Sequence, residues 1–250
     1  MKVVTVSYIN SYPFVYGLDF YKKDFNFDII LCPPSSCAQM AINNEVDFAL
    51  IPLAALPMVK HNYNLMPQYC IGAVRSVSTV LLISNNEISS LKKIFLDTHS
   101  LTSVKLVKLL ASQYWHILPE FVSHDINSNM TLNDGEAFLA IGDKCFELKG
   151  KYNFTFDLFD EWNKFTRLPF VFAVWMASKN VSVAEIEKIN TALSLGNLNK
   201  EASLRKYLSK SKNENFDFYL NYLANNINYI YDKNKEKALN LFLDLIKFVD

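Results

Sequence analysis

The sequence predicts an α/β fold built on a largely parallel sheet with helices on both faces. Three observations carry that expectation. Short apolar, β-branched runs alternate with helical stretches through the first two thirds of the chain, the pattern of β-α-β units. Of the 250 residues, 50% are hydrophobic and only 20% are charged, which suits a buried core and excludes a disordered chain. No apolar run approaches the ~20 residues of a membrane helix.

Val3 to Ser7 is a β-branched run preceded by one basic residue and followed by no small-residue cleavage site. It reads as the first strand rather than as a signal peptide. Asp28 to Leu31 is a second strand, ended by Pro33-Pro34. Ser35 or Ser36 then stands to N-cap a helix that runs to about Asn43, where Asn43-Asn44 stops it. Asp47 to Ile51 is a buried strand closed by Pro52, and Thr79 to Ser84 is another. Lys93 to Leu96 is a strand and Asp97 to Leu101 a polar turn. Thr102 to Tyr114 follows with Val104, Leu106, Val107, Leu109 and Leu110 at helical spacing. Ala137 to Ile141 is a strand ending in Gly142-Asp143, and Phe170 to Ala177 is the last. From about Ser182 the chain reads as helix, with a solvated turn from Lys210 to Asn215.

Composition removes several function classes. Lys plus Arg (25) balances Asp plus Glu (25), so there is no overall field for nucleic acid or an anionic membrane, and neither is expected as a partner. The six glycines have neither dinucleotide-fingerprint nor P-loop spacing. His61, His99, His116 and His124 show no metal-ligand pairing, so no metal is expected. Cys32, Cys37, Cys70 and Cys145 form no C-x-x-C pair, which predicts reduced thiols in a cytoplasmic protein. Cys32 and Cys37, separated by Pro-Pro-Ser-Ser, read as small core residues. No G-x-S-x-G elbow marks a serine hydrolase.

Ligands of parallel sheets sit at the carboxyl ends of the strands. Here those ends carry Asn10-Ser11, Pro33 to Ser36, Pro52, Asp97 to Ser103 and Gly142-Asp143. Ser100, Thr102 and Ser103 follow a strand and open a helix, where hydroxyls, backbone N–H groups and the positive helix end suit a carboxylate. Ser35 and Ser36 repeat the arrangement at an earlier helix; ordinary capping is the alternative for both. Arg75, Arg167 and Arg205 are the only arginines, and either of the first two offers a carboxylate clamp or a solvated surface charge.

Five segments in order resemble one family. They are Val6 to Phe14; Cys37-Ala38 with Glu45 to Pro52; Leu96-Asp97 with Ser100 to Val104; Ala140 to Asp143; and Asp157-Leu158, Glu161-Trp162 and Thr166 to Trp175. Together they resemble the chorismate dehydratase family of the futalosine route to menaquinone. The resemblance implies a two-lobed fold of the type-2 periplasmic-binding-protein kind with the ligand cleft between lobes. It places lobe one at 1–84 and 178–250 and lobe two at 85–177.

The resemblance also implies a cofactor-free reaction. Chorismate loses water to give 3-[(1-carboxyvinyl)oxy]benzoate, with Asn10 matching the family's cleft asparagine and Ser11 beside it. Ser100, Thr102 and Ser103 match a carboxylate seat. The family's further hydroxyl falls on Thr79 in an ungapped register or on Ser76 with an insertion. The proton acceptor is either the substrate's enolpyruvyl carboxylate or Asp143. Two departures stand out. Leu101 replaces a family arginine, so either Arg75 or Arg167 substitutes for it or the substrate differs. Arg167 replaces a glycine, so its loop is expected to be reshaped to φ below zero or to turn the arginine to the cleft. The other readings are a solute-binding protein and the sister enzyme that cleaves cyclic dehypoxanthine futalosine, for which His99 is the available base.

Overall fold

In the computed structural model, residues 1–126, 130–208 and 215–249 are described. The strands in chain order are β1 (Lys2–Val6), β2 (Asp28–Cys32), β3 (Phe48–Pro52), β4 (Tyr63–Ala73), β5 (Val80–Ser84), β6 (Lys93–Asp97), β7 (Glu120–His124), β8 (Glu136–Ile141), β9 (Phe154–Asp157), β10 (Phe170–Ser178) and β11 (Asn228–Ile230). The helices are α1 (Tyr12–Phe20), α2 (Lys22–Phe25), α3 (Pro34–Ile42), α4 (Leu56–Val59), α5 (Thr102–Gln113), α6 (Cys145–Leu148), α7 (Leu158–Thr166), α8 (Val183–Leu198), α9 (Lys200–Leu208), α10 (Phe216–Asn221) and α11 (Lys233–Leu245).

The chain divides into a first unit, Met1–Gly72 with Val171–Asp232, and a second, Ala73–Phe170 with Lys233–Asp250. The boundaries differ from the expected ones. β5 belongs to the second unit's sheet, whereas all but the first residue of β10 belongs to the first unit, because each strand pairs with neighbours there. The C-terminal helix α11 also joins the second unit, and its Phe242 packs on Trp162 and Phe170 at ring-centroid distances of 6.1 and 5.1 Å.

Each unit holds a mixed sheet, not the largely parallel one expected. In the first the order is β11-β4-β10-β3-β1-β2. There β1 runs parallel to β2 and β3, while β10 runs antiparallel to β3 and β11 to β4. Every residue of β3 is buried, as a strand covered on both faces must be. β4 escapes the sequence pattern because Pro67 and exposed Asn64 and Gln68 interrupt it. β11 is a short strand where only helix was expected. α1 crosses α8 so closely that a Cβ built on Gly17 would lie 1.8 Å from the Ala192 carbonyl oxygen. One built on Gly196 would lie 1.8 Å from that of Pro13, so both glycines are required by the contact.

The second unit's sheet has the order β7-β6-β8-β5-β9, with β6 parallel to β7 and β8, and β5 antiparallel to β8 and β9. Leu106, Val107, Leu109 and Leu110 of α5 are buried, the face its spacing predicted. The expected N-cap at Ser35 or Ser36 lies earlier, at Pro33. Pro34 occupies the first helical position, where its missing N–H is no loss. Asn43 and Asn44 end α3 as expected, Asn44 at φ 59°. Of the expected turn at 210–215, residues 210–214 lie outside the described residues; Asn215 caps α10, accepting from Phe218 N–H at 3.3 Å.

Candidate functional site

In the second unit the strand registers bring one set of loops to a single edge of the sheet. The carboxyl ends of β6, β7, β8 and β9 lie beside the amino end of β5, since Val80 pairs with Ile141 and Leu81 with Asp157. Strand spacing of ~4.8 Å therefore sets Asp97, Asp143, Thr79 and Asp157 along that edge in sheet order. The sequence-predicted residues Arg75, Ser76, Thr79, Ser100, Thr102, Ser103 and Asp143 all belong to this unit.

The loop before β5 is pinned to the start of α7. Ser78 adopts φ 63°, and its N–H donates to Asp157 Oδ2 at 2.6 Å. Asp157 is the N-cap of α7, its Oδ1 accepting from Phe159 N–H at 3.0 Å. The Ser76 hydroxyl lies 2.6 and 2.8 Å from the two carboxylate oxygens of Asp160. Thr79 is buried; its hydroxyl lies 3.4 Å from the Val77 carbonyl, and its own carbonyl accepts from Gly142 N–H at 2.9 Å. Burial pushes Asp157 up from 3.8 to about 6, the charge of Asp160 adding to it and N–H bonds from Ser78, Val77 and Phe159 opposing. Asp157 and Asp160 were not singled out from the sequence as site residues. The Asp-x-x-Asp spacing at a helix start was the available signal.

A second network joins the ends of β6 and β8. Asp97 is fully buried: Oδ1 accepts from His99 N–H at 3.0 Å and lies 3.3 Å from His99 Nδ1. Oδ2 lies 2.5 Å from Lys144 Nζ, an ion pair whose geometry is not that of a directed hydrogen bond. Lys144 also donates to the Ile126 carbonyl at 2.7 Å. Lys144, not Asp143, is the N-cap of α6, without a side-chain cap bond, and Asp143 follows Gly142 at φ 74°. Ser100, Thr102 and Ser103 are buried at the start of α5; Ser100 Oγ accepts from Ser103 N–H at 3.2 Å, while the N-cap itself is Leu101, without a side-chain cap bond. Arg75 is exposed and has no ion pair among the described residues.

The longest family-like segment, Asp157 to Trp175, owes its pattern to local structure. Trp162 Nε1 donates to the Pro169 carbonyl at 2.9 Å, and Asn163 donates to the Leu168 carbonyl at 3.1 Å. Thr166 Oγ1 donates to the Trp162 carbonyl at 2.9 Å. Arg167 is the C-cap of α7 at φ 62°, exposed, its N–H donating to the Asn163 carbonyl at 2.8 Å. The loop is thus not reshaped to negative φ: arginine takes the left-handed conformation that glycine takes freely, because the helix end demands it.

In the first unit the carboxyl ends of β1, β2 and β3 carry Asn10 with Ser11, then Pro33 to Ser36, then Pro52. Ser11 is fully buried, its hydroxyl donating to the Val6 carbonyl and lying 2.9 Å from the Tyr8 carbonyl. It ties the turn that presents Asn10. Tyr229 OH donates to the Asn10 carbonyl at 2.8 Å, and burial holds that phenol well above its ordinary pKa. The Asn10 side-chain amide makes no hydrogen bond among the described residues. Ser35 is half-buried and Ser36 exposed in the first turn of α3.

The sequence matches the menaquinone biosynthesis family over residues 1–247. This chain belongs to that family. Among solved structures, this family member is similar to a protein from Archaeoglobus fulgidus, with 16% identity, a TM-score of 0.79 and coverage of 98% of this chain and 96% of that one. A Candida albicans gene product described as having the generic periplasmic binding protein fold matches at 14% identity and a TM-score of 0.60, over 99% of this chain and 93% of that one. The periplasmic aliphatic sulphonate binding protein of Escherichia coli matches at 12% identity and 0.61, over 99% and 86%. The fold is therefore of the periplasmic-binding-protein kind, with a mixed α/β sheet in each unit. Among the described residues, no helix is long and apolar enough to cross a membrane.

Proposed function

We propose that this chain is a chorismate dehydratase, a cytoplasmic lyase that removes water from chorismate to give 3-[(1-carboxyvinyl)oxy]benzoate. Membership of the menaquinone biosynthesis family over residues 1–247 carries the reading. The C3 proton and the C4 hydroxyl leave, and the ring becomes aromatic. That gain supplies much of the driving force, so the protein mainly holds a dianion and assists proton transfer. In the second unit Arg75 and the positive end of α5, with Thr102 and Ser103, suit a carboxylate. Ser76 and Ser78 hold the loop before β5 against α7, and Thr79, buried at the end of that loop, is the further hydroxyl of the site. Asn10, with its backbone fixed and its amide unpaired among the described residues, is the donor for the departing hydroxyl. The substrate's enolpyruvyl carboxylate takes the C3 proton; Asp143 is the protein group that competes for that role.

One observation favours the sister activity. Asp97 lies against His99 Nδ1, the arrangement of a histidine base held by a buried carboxylate. Separate incubations of the pure protein with chorismate and with cyclic dehypoxanthine futalosine distinguish the two. Chromatography should show the aromatic ether from chorismate and no turnover of the second compound. Turnover of the second compound alone would replace the dehydratase reading. Binding without turnover of either would leave a solute-binding protein.

A further inference from the structure

Cys32 and Cys37 face one another, although their spacing suggested only two small core residues. Cys32 is the last residue of β2, the end strand of its sheet, and is half-buried. Pro33 and Pro34 turn the chain, and Cys37 in the first turn of α3 points back with its Sγ 3.3 Å from that of Cys32. The Cys37 thiol, fully buried, also lies 3.6 Å from the Cys32 carbonyl. Backbone bonds hold both ends: Ser7 N–H donates to the Cys32 carbonyl and Cys37 N–H to the Pro33 carbonyl, each at 3.1 Å.

We infer that Cys32 and Cys37 form a dithiol site that a hydroperoxide closes to a reversible disulfide. The separation leaves about 1.3 Å to close before the sulfurs reach bonding distance, within reach of side-chain rotation. The two sulfurs divide the work by exposure: Cys32 meets solvent and Cys37 does not. The hydrogen bond from Cys37 makes the Cys32 thiol more acidic, with burial opposing, whereas Cys37 is pushed up. Cys32 is therefore the attacking thiolate. Its sulfur bonds to one oxygen of hydrogen peroxide as the O–O bond breaks, and the departing hydroxide takes a proton to become water. Cys37 then loses its proton and attacks the Cys32 sulfenic acid. The S–S bond forms, the S–O bond breaks, and the hydroxide released takes that proton as a second water. The two thiols supply the two electrons that reduce the peroxide.

Closure would fasten the end of β2 to the first turn of α3 across Ser35 and Ser36. Cys70 and Cys145 are fully buried, and burial raises the Cys145 thiol well above its ordinary value, so they serve as internal controls.

The test is intact-mass and peptide-mass analysis of the reduced full chain after treatment with hydrogen peroxide. The expected product is a monomer lighter by about 2 Da. The peptide holding Cys32 and Cys37 should resist alkylation, and dithiothreitol should restore it. Cys32→Ser should abolish the mass loss. Cys37→Ala should instead leave a dimedone-reactive sulfenic acid at Cys32. Further oxidation of Cys32 with Cys37 still alkylatable would overturn the inference. So would a disulfide between chains, the same mass loss in Cys32→Ser, or a chain unchanged by peroxide.

Discussion

Replacing Asp157 by asparagine isolates what it costs to hold a carboxylate at the buried start of α7. Burial is the main cause that lifts this group from 3.8 to about 6. Unfolded, Asp157 releases its proton at the ordinary value; folded, it keeps the proton until about pH 6. Between those values the unfolded state binds fewer protons, so stability falls as pH rises. A lift of two units at 1.36 kcal/mol each amounts to about 3 kcal/mol. That stability is fully present below the unfolded pKa, is lost as pH rises through about 6, and changes no further above. Asparagine has no such proton. Urea unfolding followed through buried Trp162 should show the variant gaining about 3 kcal/mol on the parent between about pH 3 and pH 7. Its absolute level is set by an opposing loss, since one amide oxygen replaces the two that accept from Ser78 and Phe159. Parallel pH profiles would refute the reasoning. A parent profile flattened by Asp160→Asn would also refute it, by making charge rather than burial the cause.

Gly17→Ala should destabilise the chain by about 3 kcal/mol or more, read by thermal unfolding, because the new methyl meets the Ala192 backbone at 1.8 Å and neither helix can yield locally. Arg167→Gly should stabilise by about 1 kcal/mol in urea titrations, since it relieves a left-handed C-cap at φ 62°. Lys144→Met leaves the fully buried Asp97 carboxylate without its ion-pair partner and should cost about 3 kcal/mol in the same assay. Asn10→Ala should lower kcat for chorismate by about 100-fold with an unchanged melting temperature, as removal of one donor to a departing group does.

The strands most legible in the sequence are β1, β3, β5 and β8, where buried Val, Leu, Ile and Ala run together. β7 and β9, with exposed or half-buried residues along their length, have no comparable run. The unit boundaries could not be read locally, because membership is decided by pairings such as Trp175 with Leu50 and Leu81 with Asp157. At the strand ends of the second unit, the hydroxyls, the turns and Asp143 were visible in the sequence. The contacts that fix their surroundings were not: Ser78 and Asp157 are 79 residues apart and Ser76 and Asp160 are 84 apart. Nothing in the local pattern around Ser76 names Asp160 as its partner.

The place of α11 in the second unit bears on how the chain is made. Trp162 and Phe170 leave the ribosome long before Phe242, the ring that packs on both. The interval is 72 residues, or about 4 to 14 s at ordinary elongation rates. Through that interval the two aromatic faces wait without their cover, while the residues being added, Val171–Asp232, complete the other unit. The nascent chain therefore carries a sticky patch whose lifetime is set by translation speed, and slow codons between positions 171 and 242 would lengthen it.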